Sequence, residues 1–172
     1  MNSGRSRMRR WLGHALAMPL NLRRVLPPRA LARIGQAIAQ AEAGHSGEIC
    51  FAVEARLPWA MLWRNASARH RALAVFAEHR VWDTEHNNGV LIYLNLADRG
   101  VEIVADRGIA HKLAPGAWQQ ICHAMKEHCR AGAYEAGISE AVQAVGTVLR
   151  QHFALAPGEA RVNELPDRPL QV

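Results

Sequence analysis

The chain has 172 residues, 49% of them hydrophobic and 21% charged, which suits one domain with its own core and leaves no room for a second. A formal charge of +6 and a pI near 10.0 suggest nucleic acid or a membrane as partner until the charge is located. Residues 1–33 carry eight arginines and no acid, leaving 13 basic against 15 acidic side chains in the remainder, so the basicity belongs to an arm and not to a binding face of the domain. Trp11 stands alone among those arginines, and the absence of basic–aromatic interleaving elsewhere argues against nucleic acid.

Within the arm, the run from Trp11 to Leu22 has the apolarity of a secretory signal, but His14, Pro19 and Asn21 interrupt it and no small-residue cleavage site precedes Arg23. Nothing approaches the roughly 20 apolar residues that a bilayer span needs. Two readings of residues 1–27 stay open: a helix docked on the domain, and a basic amphipathic helix lying on anionic lipid.

Pro27-Pro28 opens the first helix of the domain, expected from Arg29 to Ala43, with Leu31, Ile34, Ile38 and Ala41 on its buried face and Gly44 at its end. Glu48 to Ala55 is apolar and β-rich, a buried strand. Pro58 then starts a helix expected to run unbroken to Glu78, burying Leu62, Ala66, Leu73 and Phe76. After a polar loop, Val90 to Leu94 is the strongest strand signal in the chain and is expected at the centre of the sheet. The turn Asp98-Arg99-Gly100 joins it antiparallel to a third strand, Val101 to Ala105, whereas the helix between the first two strands makes that pair parallel.

Two more helices follow, Pro115 to Ala131 and Tyr134 to His152, with stripes at Trp118, Cys122, Met125, Cys129 and at Ile138, Val142, Val145, Leu149. The expected fold is a single-domain α/β protein, an αβα sandwich with a small mixed sheet flanked by helices. Residues 28–156 form the domain, and residues 157–172 are a polar surface tail.

Cys50, Cys122 and Cys129 are too few for a disulfide framework and fit a reducing compartment, so a cytoplasmic location is expected. Seven residues of helix rise about 10.5 Å, beyond the roughly 7 Å a disulfide tolerates, so Cys122 and Cys129 read as core thiols. His79, Asp83 and His86 match no zinc spacing, and His123 and His128 do not share a helix face. No Gly-x-Ser-x-Gly elbow, Walker loop or Gly-x-Gly-x-x-Gly fingerprint is present.

Ala41-Glu42, Ser46-Gly47-Glu48-Ile49, Asn88-Gly89-Val90-Leu91-Ile92-Tyr93, Ala105-Asp106-Arg107-Gly108-Ile109, Trp118 and Asn163-Glu164-Leu165-Pro166-Asp167 together resemble the TPM domain family, over about Arg33 to Asp167. That family includes thylakoid acid-phosphatase-like, photosystem II repair and receptor-modulator proteins. The pattern is most similar to a short bacterial subgroup without signal or membrane spans. The resemblance implies either an accessory domain acting on a membrane-associated or protein partner, or a metal-assisted acid phosphatase-like hydrolase. Gly116 stands about where exported members show an aspartate, and Asn87 where the subgroup shows an arginine.

Strand direction places a candidate pocket independently of the family. The starts of strands one and two and the end of strand three meet at one sheet edge, collecting Ser46, Gly47, Glu48, Asn88, Gly89, Asp106 and Gly108. Glu48 and Asp106 are the candidate metal ligands for Ca²⁺ or Mg²⁺, with glycine amides available to a phosphate. The competing reading is structural: Glu48 pairs with a base, Asp106 caps a turn, and the glycines permit positive φ. At the opposite edge Glu54, Asn95, Asp98 and Arg99 are expected to serve the turn. The arm, peripheral to a membrane surface, is the expected partner-seeking element.

Overall fold

A computed structural model describes residues 3–16 and 19–172. The arm forms α1 (Ser3–Leu16) and α2 (Pro19–Val25); of the Trp11–Leu22 run, Ala17 and Met18 lie outside the described residues. The domain continues through α3 (Pro28–Ala41), β1 (Glu48–Glu54), α4 (Trp59–Trp63) and α5 (Ala68–Glu78). It is completed by β2 (Gly89–Asn95), β3 (Gly100–Ala105), α6 (Arg107–Ala110), α7 (Ala117–Arg130), α8 (Tyr134–Phe153) and β4 (Leu170–Gln171).

The sheet is mixed, in the order β3-β2-β1-β4. β1 runs parallel to β2 in a register that sets Glu48 against Gly89 and Glu54 against Asn95, and β2 meets β3 antiparallel with Val90 opposite Ala105. Alternation along the strands divides the core between two faces. Ile49, Phe51, Val53, Val90, Ile92 and Leu94 join the cluster that includes Ile34 and Ile38 of α3, Met125 of α7 and Val142 and Val145 of α8. Cys50, Ala52, Leu91 and Tyr93 face Ala72 and Val75 of α5. Every residue of β1 and β2 is buried, which is why both read as continuous apolar runs.

Three local expectations are corrected. The helix expected from Pro58 to Glu78 is two helices: Asn65 adopts a left-handed φ of 52°, and the Ser67 hydroxyl accepts the His70 backbone N–H to cap α5 afresh. With that break Leu73 points to solvent, and Ala72 and Val75 carry the buried stripe. The tail is also no mere surface segment, because β4 pairs parallel with β1, Ala52 opposite Leu170. Leu22 and Leu26, assigned to the arm, belong to the core. All three cysteines are free and buried, with burial pushing Cys50 up to about 12. No helix among the described residues is long and apolar enough to cross a membrane.

Candidate functional site

The candidate pocket residues meet at the end of the sheet where β1 and β2 begin. Asn88 Nδ2 donates to Ser46 Oγ at 3.3 Å, the Asp106 N–H donates to the Gly89 carbonyl at 2.9 Å, and the Gly108 N–H donates to the Asn87 carbonyl at 2.8 Å. The three glycines do not have positive φ, contrary to the structural reading of them. They are there because a Cβ has no room. One at Gly89 would lie 1.9 Å from the Val81 carbonyl oxygen, one at Gly108 2.5 Å from that of Asn87, and one at Gly47 2.6 Å from Leu149 Cδ2.

Glu48 and Asp106 have different surroundings. Glu48 is fully buried: Oε1 accepts from Arg161 Nη2 at 3.0 Å and from the Glu164 N–H at 3.3 Å, and Oε2 accepts the Leu165 N–H at 3.2 Å. The same Arg161 nitrogen lies 2.6 Å from Glu42 Oε2, while Glu42 Oε1 takes the Ile49 N–H at 2.6 Å. One guanidinium thus serves two buried carboxylates. Burial pushes Glu42 up to about 8 and raises Glu48, with Arg161 opposing both shifts. Asp106 uses Oδ1 to accept the Arg107 N–H at 2.7 Å, capping the short α6. Asp106 Oδ2 and Asn88 Oδ1 are the buried acceptors at this edge without a hydrogen-bond partner.

The flanking residues are explained by the same loops. Asn88 donates its N–H to Thr84 Oγ1 at 3.0 Å, and Asn87, left-handed at φ 52°, accepts Arg107 Nε at 3.1 Å. His45, whose pKa burial lowers, accepts the Gly47 N–H on Nδ1 and contacts the Ala41 carbonyl through Nε2. Gly116 has φ 91° at the start of α7 with open space around it. Asp83 pairs with Arg80, and His128 bonds Glu140 at 2.8 Å. Among the described residues, no group of three or more His, Cys, Asp or Glu side chains is placed to hold a metal ion.

At the opposite end of the sheet, Glu54, Asn95 and Asp98 do more than serve a turn. Glu54 accepts Arg71 Nε at 3.0 Å and the Tyr93 hydroxyl at 2.5 Å, all three side chains being buried. Asp98 donates its N–H to Asn95 Oδ1 and turns its carboxylate to the arm: Arg10 Nη2 at 2.8 Å and His14 Nε2 at 2.9 Å, contacts that lower the Asp98 pKa against the opposing effect of burial. Arg10 also reaches Asn65 Oδ1 and the Ala66 carbonyl, and His14 Nδ1 accepts the Leu57 N–H at 3.1 Å. Trp11 stacks on Trp59 at 5.7 Å and meets Trp63 edge-on at 4.7 Å. Sequence reasoning assigned no role to Glu42, Arg71, Arg161, Arg10 or His14: Arg161 is 119 residues from Glu42 and Arg10 is 88 from Asp98, and even the 17 residues between Arg71 and Glu54 cross from a helix to a strand.

The family model described as the TPM domain matches residues 21–148. Among solved structures, the chain is similar to the NMR structure of the BA42 protein from the psychrophilic bacterium Bizionia argentinensis. The two share 25% identity and a TM-score of 0.72, over 84% of this chain and 93% of that one. No match is found among curated protein sequences.

Proposed function

Since the chain belongs to the TPM domain family, we propose that it is an accessory interaction domain of that family, engaging a membrane-associated or protein partner. The observation that carries this reading is the surface built by α1 and α4. Arg10, Trp11 and His14 hold α1 against the domain, which leaves Met8 and Leu12 exposed beside Trp59 and Trp63. Large apolar side chains gathered in one place on a surface mark an interaction site, whereas single ones do not. Photo-crosslinking from positions 12 and 63 tests it in cells. Trapping of a protein or lipid from both positions is expected, and the absence of any adduct from either would remove the reading.

A second reading, a metal-assisted acid phosphatase-like hydrolase, has one observation in its favour. Asn88 Oδ1 and Asp106 Oδ2 are buried acceptors without partners, and an unsatisfied buried acceptor is costly unless something occupies the space before it. Ca²⁺ or Mg²⁺, as hard oxygen-seeking cations, suit such a pair. Glu48, engaged by Arg161 and two backbone amides, would be a ligand only after Arg161 left. Calorimetric titration of the chelator-stripped protein decides it: micromolar binding abolished by Asp106→Ala favours the hydrolase, and no heat up to millimolar cation dismisses it.

A further inference from the structure

The exposed large hydrophobics among the described residues are Met8, Leu12, Trp59, Trp63, Leu73, Trp82 and Val162. Four of these seven fall on two elements joined through a single ring, Trp11, which stacks on Trp59 and abuts Trp63. Met8 and Leu12 are one helical turn apart, so they share a face of α1, and they are 67% and 58% exposed. Trp63 is 69% exposed although its ring edge meets Trp11.

The two stretches that supply this patch carry charge of one sign. Residues 1–41 contain no acid, and neither do residues 55–77, the two stretches that supply α1 and α4. Arg56 lies over the Trp59 ring at 5.2 Å, and Arg64 closes α4; both are exposed, and neither enters an ion pair among the described residues. Asp98, the carboxylate beneath α1, is already neutralised by Arg10. Exposed tryptophan, leucine and methionine bordered by arginine without an ion pair is the composition that settles at a membrane–water interface. There the ring and aliphatic groups enter the headgroup region and guanidinium groups meet anionic lipid.

We infer that the α1–α4 surface docks on an anionic lipid bilayer, with Met8, Leu12 and Trp63 entering the interface and Arg56 and Arg64 meeting the headgroups. This rests on the interaction reading and names its partner. Each arginine near an anionic leaflet contributes about 1 kcal/mol, roughly a fivefold change in partition, so the attraction is additive and screened by salt.

The test titrates the full chain with phosphatidylcholine vesicles, with and without phosphatidylglycerol, following tryptophan emission and co-sedimentation. Binding is expected only with phosphatidylglycerol present, and it should weaken as salt is added. Leu12→Ser and Trp63→Ser should each lower the partition coefficient about fivefold to tenfold, and the double variant Arg56→Glu/Arg64→Glu by at least about tenfold. Circular dichroism confirms that each variant is folded, and Leu12→Ser, which touches no tryptophan pair, stands in if Trp63→Ser is not. No binding to phosphatidylglycerol vesicles overturns the proposal, as does binding unchanged in all of these variants, since another part of the molecule would then account for it. If vesicles fail while position 12 or 63 still crosslinks to a protein, the bilayer falls and the interaction reading stands; if crosslinking fails too, both fall.

Discussion

Glu42 and Glu48 face one guanidinium, and that ratio has a measurable consequence. The native state holds on Glu42 a proton that the unfolded chain releases near the ordinary carboxylate value of 4.5, because burial moves it up to about 8. The native form therefore binds more protons through this window, and stability falls as pH rises from about 4.5 towards about 8, by up to roughly 1.4 kcal/mol per pH unit. Urea unfolding followed between these limits should show that decline, and Glu42→Gln should flatten it to the part contributed by Glu48. A wild-type profile without slope would mean that Arg161 compensates both carboxylates. At this scale the sequence was half legible. That Glu48 pairs with a base and Asp106 caps a turn follows from residue type, but the base is 113 residues downstream of Glu48, where no local pattern reaches. The glycines were misread for a related reason: a Cβ clash with Val81 or Leu149 is tertiary, whereas positive φ is a property of the turn itself.

Periodicity at the scale of elements recovered α3, β1, β2, β3, α7 and α8, because each buries a continuous stripe or run against the same core. It failed at the α4–α5 break, although Asn65 and Ser67 are the residue types that stop one helix and cap the next. The apolar residues on both sides happened to keep a helical spacing and masked the turn. The break matters for function, since it frees α4 to carry Trp59 and Trp63 beside α1. β4 was invisible for a different reason: two residues have no period, and its place is set by Arg161 and by the Glu164 and Leu165 amides that bind Glu48. Arg161→Ala should therefore act on an element and not only on a contact. It leaves the buried Glu48 without its guanidinium, with an expected loss of about 3–5 kcal/mol, and amide exchange should rise across residues 161–172. Unchanged exchange there would show that β4 docks without the arginine.

Across the whole molecule, the two surfaces discussed stand at opposite ends of one sheet. Strands of seven residues span about 23 Å, so the Asn88–Asp106 end and the α1–α4 end do not share side chains. Trp63→Ser should leave any cation titration unchanged and Asp106→Ala any vesicle binding, so the two functional readings are separable in one set of proteins. The αβα architecture and the mixed sheet follow from strand direction and helix stripes, and the order β3-β2-β1 was legible from the connections alone.

The Arg161 contact also bears on how the protein is made. A ribosome adding roughly 5 to 20 residues per second completes Glu48 about 6 to 23 s before it reaches Arg161. For that interval the nascent chain has β1, Glu42 and Glu48 without the guanidinium, the amides or the strand that close that side of the sheet. Folding of this domain accordingly waits for residues 161–171 to emerge, and until then the β1 edge is open to pairing.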